Sequence, residues 1–399
     1  MMLFTSTQNR SPFIMATSQD ELDTRRYGSD RWLLGSIVLL MVVGVLAVYS
    51  SIAFFAETKG TTASSLMLGH VIKMSIAIFV MLIMSKIPYK VLLKFSKAAL
   101  ILSWIFLIVV SLYGTQTFGA KRSLTLGGFS FQPSSIASTA LLLYLVVLLD
   151  TKKEYIKDLS RAFIPIMFWT SITCALIGIE DFSSAGVLFA ISLTLMYIGR
   201  VNLTHIGGLV LVGILGAWIL VSSSQERVSR VNDYVDQIVQ IRSDEFASDE
   251  GYQAQQAHIA IARGEVFGVG IGKSSQRDFL PAPYNDFIYA IISEEYGLFG
   301  ATLVLGVYVF IFIRGMIFIA RRSTDYRGQL LAVAATLGIT IYAFVNAGVA
   351  VGLLPVTGLP MPFISYGGTS MISAGALAGI LLNISRRRRS TKTEDAAHE

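Results

Sequence analysis

Hydrophobic and polar positions along this chain fall into long blocks, not into the fine alternation of a soluble domain. Ten apolar runs stand out, at approximately 32–53, 70–88, 97–113, 133–149, 162–179, 182–199, 205–222, 287–317, 328–351 and 366–385. Runs of about 17–25 apolar residues are what a helix needs to cross the hydrocarbon core of a bilayer. The pattern therefore predicts an all-α polytopic membrane protein with ten transmembrane helices.

Most connections between the runs are short. One, at 223–285 between the seventh and eighth spans, is long enough to be functional rather than a mere connector. Its first part, 226–250 ("ERVSRVNDYVDQIVQIRSDEFASDE"), mixes both charges with apolar positions at helical spacing and predicts a surface helix. Residues 251–263 predict a second helix, and 264–285, rich in Gly and Pro, predict irregular chain. Residues 1–31 are polar and lack the apolar stretch and cleavage site of a signal peptide, so the first span serves as the insertion signal. The chain thus divides into an N-terminal tail (1–31), a membrane domain (32–385) and a polybasic tail (386–399).

Composition sharpens this picture. Of 399 residues, 53% are hydrophobic and 15% charged, and the mean hydropathy is +0.62. The single cysteine, Cys174, lies in an apolar run and excludes a disulfide framework. The four histidines are scattered without metal-ligand spacing.

The net charge of +6 acquires meaning from its placement. Alternate loops hold Lys86, Lys90, Lys94 and Lys97, then Lys152, Lys153, Lys157 and Arg161, then Arg200, then Arg321, Arg322 and Arg327. The intervening short loops hold only Lys59, Lys121 and Arg122. Basic residues mark cytoplasmic loops, so both termini are expected in the cytoplasm and 223–285 outside. The run Arg386–Arg389 then reads as a topology signal and lipid-surface anchor, not as a nucleic-acid patch.

Several short stretches carry candidate chemistry. "GVGIGKSS" at 268–275 ends like a phosphate-binding P-loop, but the required first glycine is Phe267, and the segment is extracytoplasmic. Its alternate glycines permit either a close approach to a diphosphate or a tight packed loop. "LLPVTGLPMPFISYGGTS" at 353–370 cannot form a continuous helix and is expected to re-enter the bundle and line a cavity. Lys121 and Arg122 in "GAKRSLTLGGFSFQPSS" are outer cations, suited to an anionic ligand or to lipid phosphates. Glu180 and Asp181 sit in a short turn and are expected to face solvent.

Asp286, in "LPAPYNDFIYAIISEEYGLFG", stands where polar loop gives way to apolar span. A carboxylate there needs a reason. Asp before an apolar helix is a common N-cap. With helix from residue 286, Glu294 lies about 12 Å deeper and about 80° around, and Glu295 faces the opposite side. Asp286 and Glu294 are then expected to share a cavity, with Glu295 paired inside the bundle.

Four ordered stretches, "GGFSFQPSS", "GYQAQQAHIAIARGEVFGVGIGKSSQ", "FLPAPYNDFIYAIISEEYGLFG" and "GLLPVTGLPMPFISYGGTS", resemble the SEDS family (shape, elongation, division and sporulation) over roughly 32–390. The resemblance is greater to the family's division member than to its elongation member. It implies ten spans, a large outer loop after the seventh, and peptidoglycan glycosyltransferase activity. The family's essential acid falls on Asp286, and its basic residue before the fourth span falls on Arg122. The family's Pro-Ser-Glu-Leu-x-Lys stretch is here Pro133, Ser134, Ser135, Ile136, Ala137 and Ser138, so an acid and a base are missing together. Arg263 and Glu265 stand where the family carries small residues, and the sequence offers no account of them.

The implied substrate is lipid II, a disaccharide-pentapeptide on undecaprenyl diphosphate, added to a nascent glycan strand. A diphosphate leaves without protonation, so one carboxylate suffices to deprotonate the acceptor 4-hydroxyl. Asp286 is the expected base, with Arg122, Lys273, Gln276 and Glu294 as candidate substrate contacts. A divalent cation, Mg or Mn, is able to share the diphosphate work, although no cluster fixes its site. No organic cofactor is expected. The implied partners are a class B penicillin-binding protein, other division proteins of the inner membrane, and membrane lipid. A lipid II flippase or a proton-coupled transporter using Asp286 and Glu294 are the competing readings; the lack of a clear internal repeat counts against the transporter.

Overall fold

The computed structural model describes residues 28–58, 62–117, 120–126, 129–239, 249–280 and 282–386. Within them the apolar runs become helices in the expected order: α1 (Arg31–Thr58), α2 (Ala63–Lys86), α3 (Tyr89–Tyr113), α4 (Pro133–Thr151), α5 (Ile164–Glu180), α6 (Phe182–Ile198) and α7 (Leu203–Ser222). After two polar helices, α8 (Gln225–Val239) and α9 (Asp249–Gly264), come α10 (Ile288–Ile313), α11 (Tyr326–Ala350) and α12 (Thr369–Ser385). Eight of the apolar helices are long enough to cross a membrane, and α6 and α12, at 17 residues each, lie at the lower limit of about 17. The chain is a multi-pass membrane protein.

The structure departs from the expected pattern in two places. The surface helix expected over 226–250 stops at Val239, and Asp249 and Glu250 belong to α9 instead; residues 240–248 lie outside the described residues. The connection between α3 and α4, in a protein expected to be all-α, carries a small antiparallel sheet of β1 (Thr115–Thr117), β2 (Ala120–Leu126) and β3 (Phe129–Phe131). Leu124 pairs with Phe131 and Leu126 with Phe129. The sheet is an addition to a helical architecture.

Close packing sets the position of α12. A Cβ on Gly375 or Gly379 would overlap the carbonyl oxygens of Ala77 or Met81 on α2. Small residues four apart let two membrane helices approach backbone to backbone. This contact places the first turn of α12 beside the middle of α2. Polar pairs tie the opposite end of the bundle: Arg314 with Asp30 at 2.9 Å, Arg327 with Asp150, and the Tyr89 hydroxyl donating to Asp325.

The eighth span is long: α10 continues through a π-helical turn (Arg314–Ala320) to give 33 residues. It is broken at Gly297, where φ is 68° and ψ −171°. The freed main-chain groups do not go unpaired. Val269 N–H donates to Glu294 C=O at 2.9 Å and Gly270 N–H to Glu295 C=O at 3.1 Å. In return Leu298 N–H donates to Glu265 C=O at 2.8 Å and Phe299 N–H to Val266 C=O at 3.1 Å. Irregular backbone at membrane depth is tolerated where protein supplies such partners. Gly268 thus serves packing: it has φ of 81°, and a Cβ there would run into the Glu295 carbonyl.

Candidate active site in a polar cavity

Asp286 does not cap a helix. The helix α10 starts at Ile288, Phe287 takes the N-cap position, and no side chain caps it. Asp286 sits one step earlier, in a turn whose main chain is held from three directions. Tyr366 N–H donates to Tyr284 C=O at 2.9 Å, the Ser365 hydroxyl donates to Asn285 C=O at 2.7 Å, and the Asn346 amide donates to Asp286 C=O at 2.8 Å. The Asn285 amide then donates to Asp286 Oδ1 at 2.7 Å. Three successive carbonyls fixed by α11 and the 353–368 segment leave the carboxylate little freedom.

The carboxylate lines a cavity of about 350 Å³. Its walls come from α2 (Lys73), α4 (Ser135, Ser138, Thr139), α6 (Asp181, Ser184) and α11 (Gly338, Tyr342). The 353–368 segment enters from the loop side with Gly358, Pro360, Pro362 and Tyr366, and α12 adds Ser370 and Ser373. The segment is non-helical, as its prolines and glycines require, and it lines the cavity as expected.

Hydroxyls are the commonest polar groups on these walls, with two carboxylates and a single cation among the described lining residues. Burial pushes the Tyr284 hydroxyl above its ordinary pKa, and the neighbouring Tyr366 and Asp286 act in the same direction, so it stays a neutral donor.

Asp181 corrects the expectation that it faces solvent. It is 4% exposed, lines the cavity and caps α6, accepting from Ser184 N–H at 3.1 Å and Ser184 Oγ at 2.6 Å. Gln132, just before α4, also donates to it at 3.3 Å. Glu180 accepts from Ser111 at 2.9 Å.

Glu294, expected to share the cavity with Asp286, does not line it. Because α10 begins at residue 288, Glu294 turns instead toward the 274–276 loop, fully buried. It accepts from the Ser274 hydroxyl, from Ser275 N–H at 3.2 Å and from Gln276 N–H at 3.3 Å, with Arg263 Nε 3.9 Å away. This knot also gives Arg263 a role. Gln276 is buried within it, and Lys273 is exposed on the same loop, so neither lines the cavity. Glu295 pairs inside the bundle, accepting from Ser50 of α1. Glu265 ends α9 with φ of 44°, a left-handed C-terminal cap. Arg122 lies on β2, leading into α4, with its side chain outside the described residues.

One cavity residue carries no sequence signal in the loops: Lys73. The available signal was a lone lysine inside an apolar span, which is by default a functional candidate. Among the described residues no group of three or more His, Cys, Asp or Glu gathers to hold a metal ion.

Comparisons with known proteins agree with this architecture. The chain is 30% identical to stage V sporulation protein E of Bacillus subtilis over 372 residues, which is 92% of this chain and 100% of that protein. It is 32% identical over 370 residues to a probable peptidoglycan glycosyltransferase FtsW of the same organism, covering 89% of this chain and 90% of that one. A chain of a solved peptidoglycan synthase complex, which coordinates polymerization and crosslinking, superposes with a TM-score of 0.69 at 20% identity, covering 91% of this chain and 99% of that one. The FtsW/RodA/SpoVE family model, described as cell cycle protein, matches residues 31–390, and the chain belongs to that family.

Proposed function

We propose that this protein is a peptidoglycan glycosyltransferase that polymerises lipid II into glycan strands during septal wall synthesis. The observation that carries the proposal is Asp286, clamped through three consecutive carbonyls at a hydroxyl-lined cavity. Relatives named as glycosyltransferases support the reaction class. The protein works in the bacterial inner membrane with both termini in the cytoplasm and the long loop outside.

In this reading the acceptor sugar's 4-hydroxyl sits against Asp286. The carboxylate takes the hydroxyl proton as the oxygen attacks the anomeric carbon of the growing strand. The bond from that carbon to the diphosphate oxygen breaks, and undecaprenyl diphosphate leaves with the electron pair. Fixing Asp286 through its main chain keeps the base oriented before substrate arrives, so no reorganisation is needed at the moment of reaction. Hydroxyls of Ser135, Ser138, Ser370 and Ser373 are suited to sugar or phosphate oxygens. Arg122, on β2 of the sheet that precedes α4, is a contact for the anionic headgroup. No step runs through a metal. A class B penicillin-binding protein is the transpeptidase that would crosslink the product.

The test is glycan polymerisation by purified protein with such a partner. Asp286→Asn keeps an acceptor for Asn285 and so keeps the turn, but cannot take a proton. Polymerisation should fall by about 10²–10⁴-fold with an unchanged melting temperature. Near wild-type rates would leave lipid II translocation as the function of the cavity.

A further inference from the structure

The cavity needs a cation more than it needs anything else the walls provide. If the substrate is a lipid diphosphate, its headgroup brings at least two negative charges into a space that already holds Asp286 and Asp181. From α4 the cavity receives Ser135, Ser138 and Thr139, so that wall offers hydroxyls and no charge.

Lys73 comes from a different wall. It lies in the middle of the 24-residue α2, about 15 Å from the nearer end by helix rise, too deep to be a simple end anchor. It is half-buried, and among the described residues it makes no ion pair. Its ammonium sits 3.9 Å from the centroid of the Tyr366 ring. A ring face holds a cation in place without neutralising it, which leaves the charge free for an anion. Tyr366 is itself anchored, edge-on to Tyr284 at 5.3 Å and stacked with His70 at 5.5 Å. The same Tyr366 main chain fixes the turn that carries Asp286. One aromatic residue therefore positions both the cation and the base.

We propose that Lys73 is the diphosphate-binding cation of this protein, supplied from α2. The proposal rests on the glycosyltransferase reading for its substrate class. It assigns Lys73 to hold the diphosphate oxygens and to stabilise the charge that grows on them as the glycosyl bond breaks. A lysine is a compact point charge, so geometry at the diphosphate is set by the surrounding hydroxyls and not by a fork.

Equilibrium binding of geranylgeranyl diphosphate to the purified full chain in nanodiscs tests this apart from catalysis. Lys73→Met keeps the apolar stem and removes the charge; it should raise Kd about tenfold or more and flatten the salt dependence. Lys73→Arg should bind within a few-fold of wild type. The double variant Lys73→Met/Ser138→Lys, which moves the cation to the α4 wall of the same cavity, should recover binding. Should Lys73→Met fold poorly, footprinting of the wild type decides: geranylgeranyl diphosphate should protect Lys73 from amine acylation, and Lys273 should stay reactive. Unchanged affinity in a folded Lys73→Met, absence of protection, or failure of the wild type to bind the diphosphate overturns the proposal. Wild-type binding without any polymerisation of lipid II would sink the glycosyltransferase reading and leave Lys73 standing.

Discussion

The Asn346 side chain, near the end of α11, donates to the main-chain carbonyl of Asp286 at 2.8 Å. The same amide donates to Leu359 C=O at 2.7 Å, and so staples the base-bearing turn to the re-entrant segment. Replacing Asn346 with Leu leaves two carbonyls without that donor. Each such loss costs about 1–3 kcal/mol where water cannot substitute. The expected result is a lower melting temperature and a fall in polymerisation larger than the loss of folded protein explains. Activity that simply tracks the folded fraction would mean that the staple stabilises the fold without orienting Asp286.

Glu294 separates two roles that sequence alone leaves merged. As a knot for the 274–276 loop, it needs oxygen acceptors more than charge. Glu294→Gln should keep most stability and most activity, whereas Glu294→Ala strips the Ser274 hydroxyl and the Ser275 and Gln276 amides of their acceptor. The alanine variant should melt markedly lower. Loss of activity in a stable Glu294→Gln protein would restore the idea that Glu294 moves protons.

The glycines of 268–272 are expected to differ in cost. Gly268 and Gly272 have φ of 81° and 75°, so either alanine strains the backbone by about 1–3 kcal/mol. A Cβ on Gly268 would also overlap the Glu295 carbonyl, while one on Gly272 meets nothing within 4 Å. Thermal melting should therefore rank Gly268→Ala well below Gly272→Ala. Equal losses would count against the packing role of the loop.

Orientation is testable with single cysteines in a Cys174→Ala background. Gln225→Cys, at the start of α8, should react with an impermeant maleimide in intact cells once the outer membrane, where present, is permeabilised. Glu154→Cys, in the connection between α4 and α5, should not. The reverse pattern would turn the molecule over and place Asp286 on the cytoplasmic side.

Much of this molecule is visible in its sequence because bilayers impose a coarse rule. Apolar runs of sufficient length become helices whatever they pack against, so all ten appear, although α2 and α3 begin at Ala63 and Tyr89, well before the expected 70 and 97. Asp286 stands out for the same reason, as an acid where acids are costly. What stays hidden depends on partners far away in sequence. The donors to Glu294 come from 18 to 20 residues earlier, and Asp181 accepts from Gln132, 49 positions away. The sheet was legible and passed over: "LTLGGFSF" alternates apolar and polar residues about a Gly-Gly pair, the pattern of a tight hairpin. Lys73 is inconspicuous because topology is written in the loop charges, whereas a single charge inside a span leaves the helix pattern intact.

A broken helix suggests a hinge, but the break at Gly297 behaves as a stiff corner. Swinging the two halves of α10 apart would strip at least one pair, Val269 with Gly270 or Leu298 with Phe299, of its acceptors. At about 1–3 kcal/mol for each N–H left unmet, that motion is rare. The α10 side of the cavity is therefore an anvil. Room for a bulky sugar has to come from the facing side, where α2 and α4 offer a lysine stem and small hydroxyls instead of interlocked main chain. Substrate entry should deform that compliant wall and leave Asp286 where it stands.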